Sequence, residues 1–102
     1  MSPEDFDPTA LDDVIHGKLR LGIMAYLSSL DGATFSELRA RTGATDGNLS
    51  VHLTKLEDAG YIKITKAFVG KRPQTTAQLT TMGRKAWLAY LDQMRALLNE
   101  SD

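Results

Sequence analysis

The chain has 102 residues, 42% hydrophobic and 25% charged, with a formal net charge of −1. That is the size and make-up of one globular domain. The absence of Cys excludes a disulfide framework, a thiol nucleophile and a Cys-based zinc or redox centre.

Two His, at positions 16 and 52, leave little for a His-rich metal site. No apolar run reaches the roughly 18 residues of a membrane span. The start of the chain lacks the cationic and apolar blocks of a secretory signal. The expectation is a cytoplasmic protein with no cofactor and no metal.

Residues 1–13 carry Glu4, Asp5, Asp7, Asp12 and Asp13 and no base. Residues 1–10 read as an acidic leader, either a solubilising tail or a strap that crosses a partner subunit with Phe6 as its anchor. Residues 11–99 form the folded domain and 100–102 a short acidic tail. Residues 14–99 hold all twelve bases against six acids, a net charge of +6 that the acidic ends conceal. Sign asymmetry of this kind points toward nucleic acid.

From Ala10 to Leu30 apolar residues recur at helical spacing, and Gly17 is expected to divide a short first helix from a longer one. Asp31-Gly32 is a turn signal. Thr34-Phe35-Ser36-Glu37 is a capping box that opens a short helix with Phe35 and Leu38 facing inward. Gly43 ends that helix, and Thr45 or Asp46 caps a third helix that stops at Gly60.

Beyond Gly60 the period changes from helical to alternating. Tyr61 to Val69 and Thr75 to Leu79 read as two strands joined by Gly70-Lys71-Arg72-Pro73. Thr80 or Thr81 then caps a last helix. The fold class is mainly α with a β-hairpin. It is the layout of a winged helix-turn-helix, with N- and C-terminal helices for dimerisation.

On the third helix, Leu49, Leu53 and Leu56 fall on one narrow stripe at about 100° per residue. Gly47, Asn48, Ser50, Val51 and Thr54 lie on the opposite face or its flank. That face is small and polar, free of carboxylates over its middle, and suits the edges of bases in a major groove. Lys55 lies beside them. His52 flanks the apolar stripe, where a structural role comes first and a phosphate contact second.

Lys71 and Arg72 at the hairpin tip are assigned to phosphates, together with Thr34, Thr45, His52 and Lys55. On the last helix Trp87, Tyr90, Leu91, Met94 and Leu98 make a wide apolar stripe. With Leu11, Val14 and Ile15 of the first segment, it is expected to form a homodimer interface. A twofold dimer would hold two reading helices about 34–36 Å apart.

The segments Arg20-x-x-Ile23, Thr34-Phe35-Ser36-Glu37-Leu38, Gly47-Asn48-Leu49-Ser50-x-His52-Leu53, Leu56-Glu57-x-Ala59-Gly60-Tyr61-Ile62 and Leu79-Thr80-x-x-Gly83 closely resemble winged-helix transcriptional regulators of the MarR/ArsR-like type. The resemblance covers roughly residues 11–98. It implies a dimeric DNA-binding transcription factor that reads a pseudo-palindromic operator on double-stranded DNA, most simply as a repressor. The helix from Thr45 to Ala59 would be its recognition helix and residues 61–79 its wing.

The metal-sensing relatives use Cys and His pairs that this chain lacks. Many MarR-like proteins bind a small effector, but no residue here argues for such a pocket. A winged-helix protein-interaction module without DNA affinity is the competing reading, and the near-zero total charge suits it. No nucleophile–base pair, phosphate loop or metal motif marks an enzyme, and no catalytic residue is assigned.

Overall fold

The computed structural model describes residues 11–99. Its elements are α1 (Lys18–Ser28), β1 (Ala33–Thr34), α2 (Phe35–Thr42), α3 (Asp46–Asp58), β2 (Ile62–Val69), β3 (Arg72–Leu79) and α4 (Thr81–Leu98). The three strands form one antiparallel sheet in the order β1-β3-β2. Among the described residues no helix is long and apolar enough to cross a membrane. The acidic leader of residues 1–10, with Phe6, and the tail of residues 100–102 lie outside the described residues.

The short helix expected before Gly17 does not form. Asp12 is the reason: its Oδ1 accepts from the N–H groups of Val14 (2.8 Å) and Ile15 (3.2 Å), and its carbonyl accepts from His16 at 2.7 Å. A carboxylate that bonds the backbone two and three residues on favours a turn over a continuing helix. The turn drops Ile15 into the core, fully buried. Gly17 then stands at the N-cap of α1 with extended backbone.

The capping box at Thr34 is complete. Thr34 Oγ1 accepts from Glu37 N–H, and Glu37 Oε1 accepts from Thr34 N–H, each at 3.1 Å. Gly43 ends α2 at φ 70°. Thr45, rather than Asp46, caps α3 by accepting from Asn48 N–H at 3.2 Å. The end of α3 is a Schellman motif: Gly60 N–H donates to Glu57 O at 2.9 Å and Tyr61 N–H to Leu56 O at 3.0 Å, with Gly60 at φ 83°.

The hairpin is longer than its sequence pattern predicts. β2 and β3 pair without a break from Ile62↔Leu79 to Val69↔Arg72, so the turn is only Gly70-Lys71. Gly70 sits at φ 65°, as the first central residue of a II′-type turn requires. Arg72 and Pro73 belong to the strand.

The core gathers Ile23, Met24 and Leu27 of α1, Leu38 of α2, Leu49, Leu53 and Leu56 of α3, Ile62 and Ala77 of the sheet, and Trp87 and Tyr90 of α4. Burying each large aliphatic side chain stabilises the fold by about 1.5–3 kcal/mol. The short β1 ties the start of α2 to the sheet through Ala33↔Ala77 and Thr34↔Thr76. That pairing fixes the helix-turn-helix against the wing.

Candidate nucleic-acid interface

The buried stripe of α3 turns its other face outward. Gly47, Asn48, Ser50, Val51, Thr54 and Lys55 are all exposed. Thr54 Oγ1 donates to Ser50 O at 2.9 Å, so its hydroxyl proton is engaged and it presents lone pairs and a methyl group to the surroundings. Asp46 at the start of the helix is neutralised by Arg39 at 2.8 Å. Exposed pairs of this kind add under about 1 kcal/mol of stability, but this one removes an anion from the face.

The wing lies alongside. Side chains of Ile62, Ile64, Lys66 and Phe68 share one face of β2, opposite Leu79, Ala77, Thr75 and Pro73 of β3. The inner rungs pack on the core, whereas Lys66 and Phe68 are exposed. Ser50 and Thr54 of α3 line one groove with Lys66 and Thr75. Thr34 lines a neighbouring groove with Arg72. The structure thus joins Ser50, Thr54, Thr34, Lys66 and Arg72 in one continuous surface, with Lys71 exposed at its tip.

Asn48 and Lys55 fall on the other flank of α3. Asn48 lines a cleft with Lys18, Tyr26 and Arg41, and the Arg41 guanidinium lies 4.8 Å from the centre of the Tyr26 ring. Lys55 lines a shallow hollow with Val14, Arg20 and Asp58. Glu57 lines the same groove as Ser50 and Thr54, where its carboxylate accepts from Ile64 N–H at 3.3 Å.

His52 is half-buried, and its Nδ1 lies 2.8 Å from Arg20 Nη1. A guanidinium only donates, so Nδ1 is the acceptor and the neutral ring carries its proton on Nε2. Burial, then the charges of Arg20 and Lys55, hold the His52 pKa below its ordinary 6.5. Arg20 also donates through Nε to Val14 O and through Nη2 to Asp13 O. It therefore fastens the Asp12 turn to the reading helix. No spacing rule links positions 20 and 52, so the sequence pattern does not disclose this contact.

A second tie runs from Tyr61, whose hydroxyl donates to Asp12 Oδ2. That bond, with burial and the Asp12 charge, pushes the Tyr61 pKa up to about 12.

The His52 arrangement gives a direct test. The unfolded chain takes up the His52 proton more readily than the folded one. Its contribution to stability is therefore full above pH 6.5 and is lost as pH falls below that value toward the folded pKa. In Arg20→Gln the His52 ring signal in a proton NMR titration should move to higher pH, and the acid sensitivity of folding should shrink. An unchanged midpoint would rule out the contact.

The residues expected at a dimer interface divide. Leu11, Ile15, Trp87 and Tyr90 are buried in the protomer's own core, and the Tyr90 hydroxyl lies 2.8 Å from His16 Nδ1. The Asp12 turn folds back onto α4, where His16 meets Tyr90, and covers the first half of its stripe. Val14, Leu91 and Met94 are half-buried against that core, and Leu98 is 73% exposed. The stripe therefore runs beyond the core toward the end of α4. Among the described residues no three His, Asp or Glu side chains converge on a metal position.

Comparison with known proteins fits this geometry. A family model described as winged helix DNA-binding domain matches residues 19–98. An uncharacterized protein of Methanocaldococcus jannaschii is 32% identical over 84 residues, 82% of this chain and 91% of that protein. A transcriptional regulator homologue of Pyrococcus horikoshii superposes with a TM-score of 0.81 at 30% identity, covering 87% of this chain and 88% of that one. A MarR-family regulator of Enterococcus faecalis shares the fold, with a TM-score of 0.69 at 23% identity over 86% and 81% of the two chains. The capping box, the Gly43 turn, the apolar stripe of α3 and the cationic wing thus have a common explanation: this chain belongs to the winged helix DNA-binding domain family and has the MarR-like fold.

Proposed function

We propose that this protein is a transcriptional regulator that binds duplex DNA as a homodimer and represses by occupying an operator. Residues 11–99 act as one DNA-binding and dimerisation unit. The observation that carries the reading is the continuous surface that joins the small, polar face of α3 to a wing free of acids from Ile62 to Leu79.

In this reading α3 enters the major groove. Ser50, Thr54 and the Val51 methyl groups meet base edges on the wing side, and Asn48 reaches bases from the other flank. Gly47 adds no side chain and allows close approach. Thr34, Thr45, Lys55, Lys71 and Arg72 contact phosphates and set the register. His52 supports the helix through Arg20, with its Nε2–H as the group left to donate. The half-buried Leu91 and Met94 and the exposed Leu98 supply the distal part of a twofold contact along α4, beside Val14.

Selection of bound sequences from a random duplex pool, using the full chain, tests the proposal. The recovered sites should be pseudo-palindromic, with half-site centres about 10 base pairs apart, and sedimentation of the free protein should give a dimer. Absence of binding at low ionic strength would sink the DNA reading and favour a protein-interaction module. Single, asymmetric half-sites would sink the dimer.

A further inference from the structure

We propose that the wing ends in an apolar wedge for DNA: Phe68, backed by Pro73, presses into the minor groove beside the half-site and against a base step there. This inference rests on the DNA-binding reading and adds a contact to it.

Phe68 is 75% exposed and its neighbour Val69 60% exposed. Nothing in the protomer needs them there. The nearest core residue on the same face is Ile64, four residues back and about 14 Å along the strand. Between the two stands the exposed Lys66. The face thus runs from core to cation and then to an aromatic ring at the far end, which is not the pattern of a strand folding onto its own domain.

The backing is specific. In a two-residue hairpin the pair beside the turn exchanges hydrogen bonds and the next pair does not. Phe68↔Pro73 is that next pair. Its side chains therefore stand close together, and Pro73 gives up no ladder bond. A ring braced by a pyrrolidine is stiff and projects beyond the backbone, as an inserted side chain must.

The charge around the tip identifies the occupant. Lys66 shares the face of Phe68, Lys71 and Arg72 follow at the turn, and neither wing strand contains an acid. An apolar tip flanked by cations is complementary to a groove with apolar sugar walls between two rows of phosphates. It is poorly matched to another copy of the same cationic tip. The wing also shares its groove with Ser50 and Thr54 of α3. A duplex seated on α3 therefore brings its flanking minor groove to the wing. Phe and Pro are among the side chains that partly unstack a step from that side, and pyrimidine–purine steps yield most readily.

The test compares wild type with Phe68→Ala on duplexes that the wild type selects, over a series of salt concentrations. The affinity of the variant should fall about tenfold or more. Its salt slope should stay unchanged, because no cation has been removed. Reselection with the variant should lose any preference for a pyrimidine–purine step outside the half-site. A 2-aminopurine at that step should brighten with wild type and stay dim with the variant.

Equal affinity of the two proteins overturns the inference and leaves the DNA reading standing. A variant that loses dimerisation in sedimentation overturns it too, because the tip then covers a second copy. If wild type binds no duplex at low salt, both readings fall. Phe68→Leu, which keeps an apolar β-former, guards against a folding artefact. It should melt with wild type and fall between the other two in affinity, and wild-type affinity in Phe68→Leu would deny the ring a role.

Discussion

Gly83→Ala should destabilise the protein by about 3 kcal/mol, at the upper end of overpacking costs. For a domain this small that lowers the melting temperature by roughly 12–24 °C. A Cβ at position 83 would lie 1.9 Å from the carbonyl oxygen of Tyr61, a distance no side-chain rotation relieves. The carbonyl has no freedom to withdraw. Tyr61 O accepts from Thr80 N–H at 3.0 Å, Thr80 Oγ1 donates to Gly60 O at 2.6 Å, and the same oxygen accepts from Gly83 N–H at 2.9 Å as the cap of α4. Moving α4 outward therefore loosens its own N-terminus and the Schellman end of α3 together. Gly22→Ala is the control. It lies in α1 with nothing within 4 Å of the added carbon, and helix propensity should make it more stable by up to about 1 kcal/mol. Thermal melts followed by circular dichroism compare the two, and a Gly83→Ala melt within a degree or two of wild type would refute the close-approach argument.

The same neighbourhood shows what the sequence could and could not disclose. Leu79-Thr80-x-x-Gly83 is legible as a cap followed by a glycine, but not as a contact with Tyr61, which is distant in sequence. Local rules carried far where the chain interacts with itself over a few residues. The Thr34–Glu37 box, the stops at Gly43 and Gly60 and the Leu49, Leu53, Leu56 stripe all follow from spacing alone.

The failures are non-local or too short. β1 is two residues long and has no alternation to read. The helical spacing of Leu11, Val14 and Ile15 was real, but the Asp12 carboxylate competed for the same N–H groups and the turn prevailed. Spacing marks the α4 stripe as apolar but does not disclose that the Asp12 turn folds back onto its inward half at Tyr90. At the interface, sequence placed Ser50, Thr54, Lys71 and Arg72 on two separate elements. It took the register of β2 and β3 to show that Lys66 and Phe68 face the same way as the reading helix.

The double variant Lys71→Ala/Arg72→Ala should cause the largest loss of DNA affinity, and salt should reveal how. Each phosphate contact releases condensed counterions, so the log–log salt slope should flatten by about 0.9 per contact, or about 1.8 for each wing. At 0.15 M salt the same relation gives a loss of roughly 30-fold per wing and about a thousandfold for two wings on one operator. The loss should be alike on selected and random duplexes, because phosphates carry no sequence. Lys63→Ala sets the baseline. Lys63 lies at the foot of the hairpin, about 20 Å of strand from the tip, and its removal should leave slope and affinity nearly unchanged. If Lys63→Ala flattens the slope as much as the tip variant does, the attraction belongs to the +6 charge of the whole body and not to the wing. If only the tip variant flattens it, the hairpin positions the protein on the backbone, and the near-neutral face of α3 is left to discriminate bases.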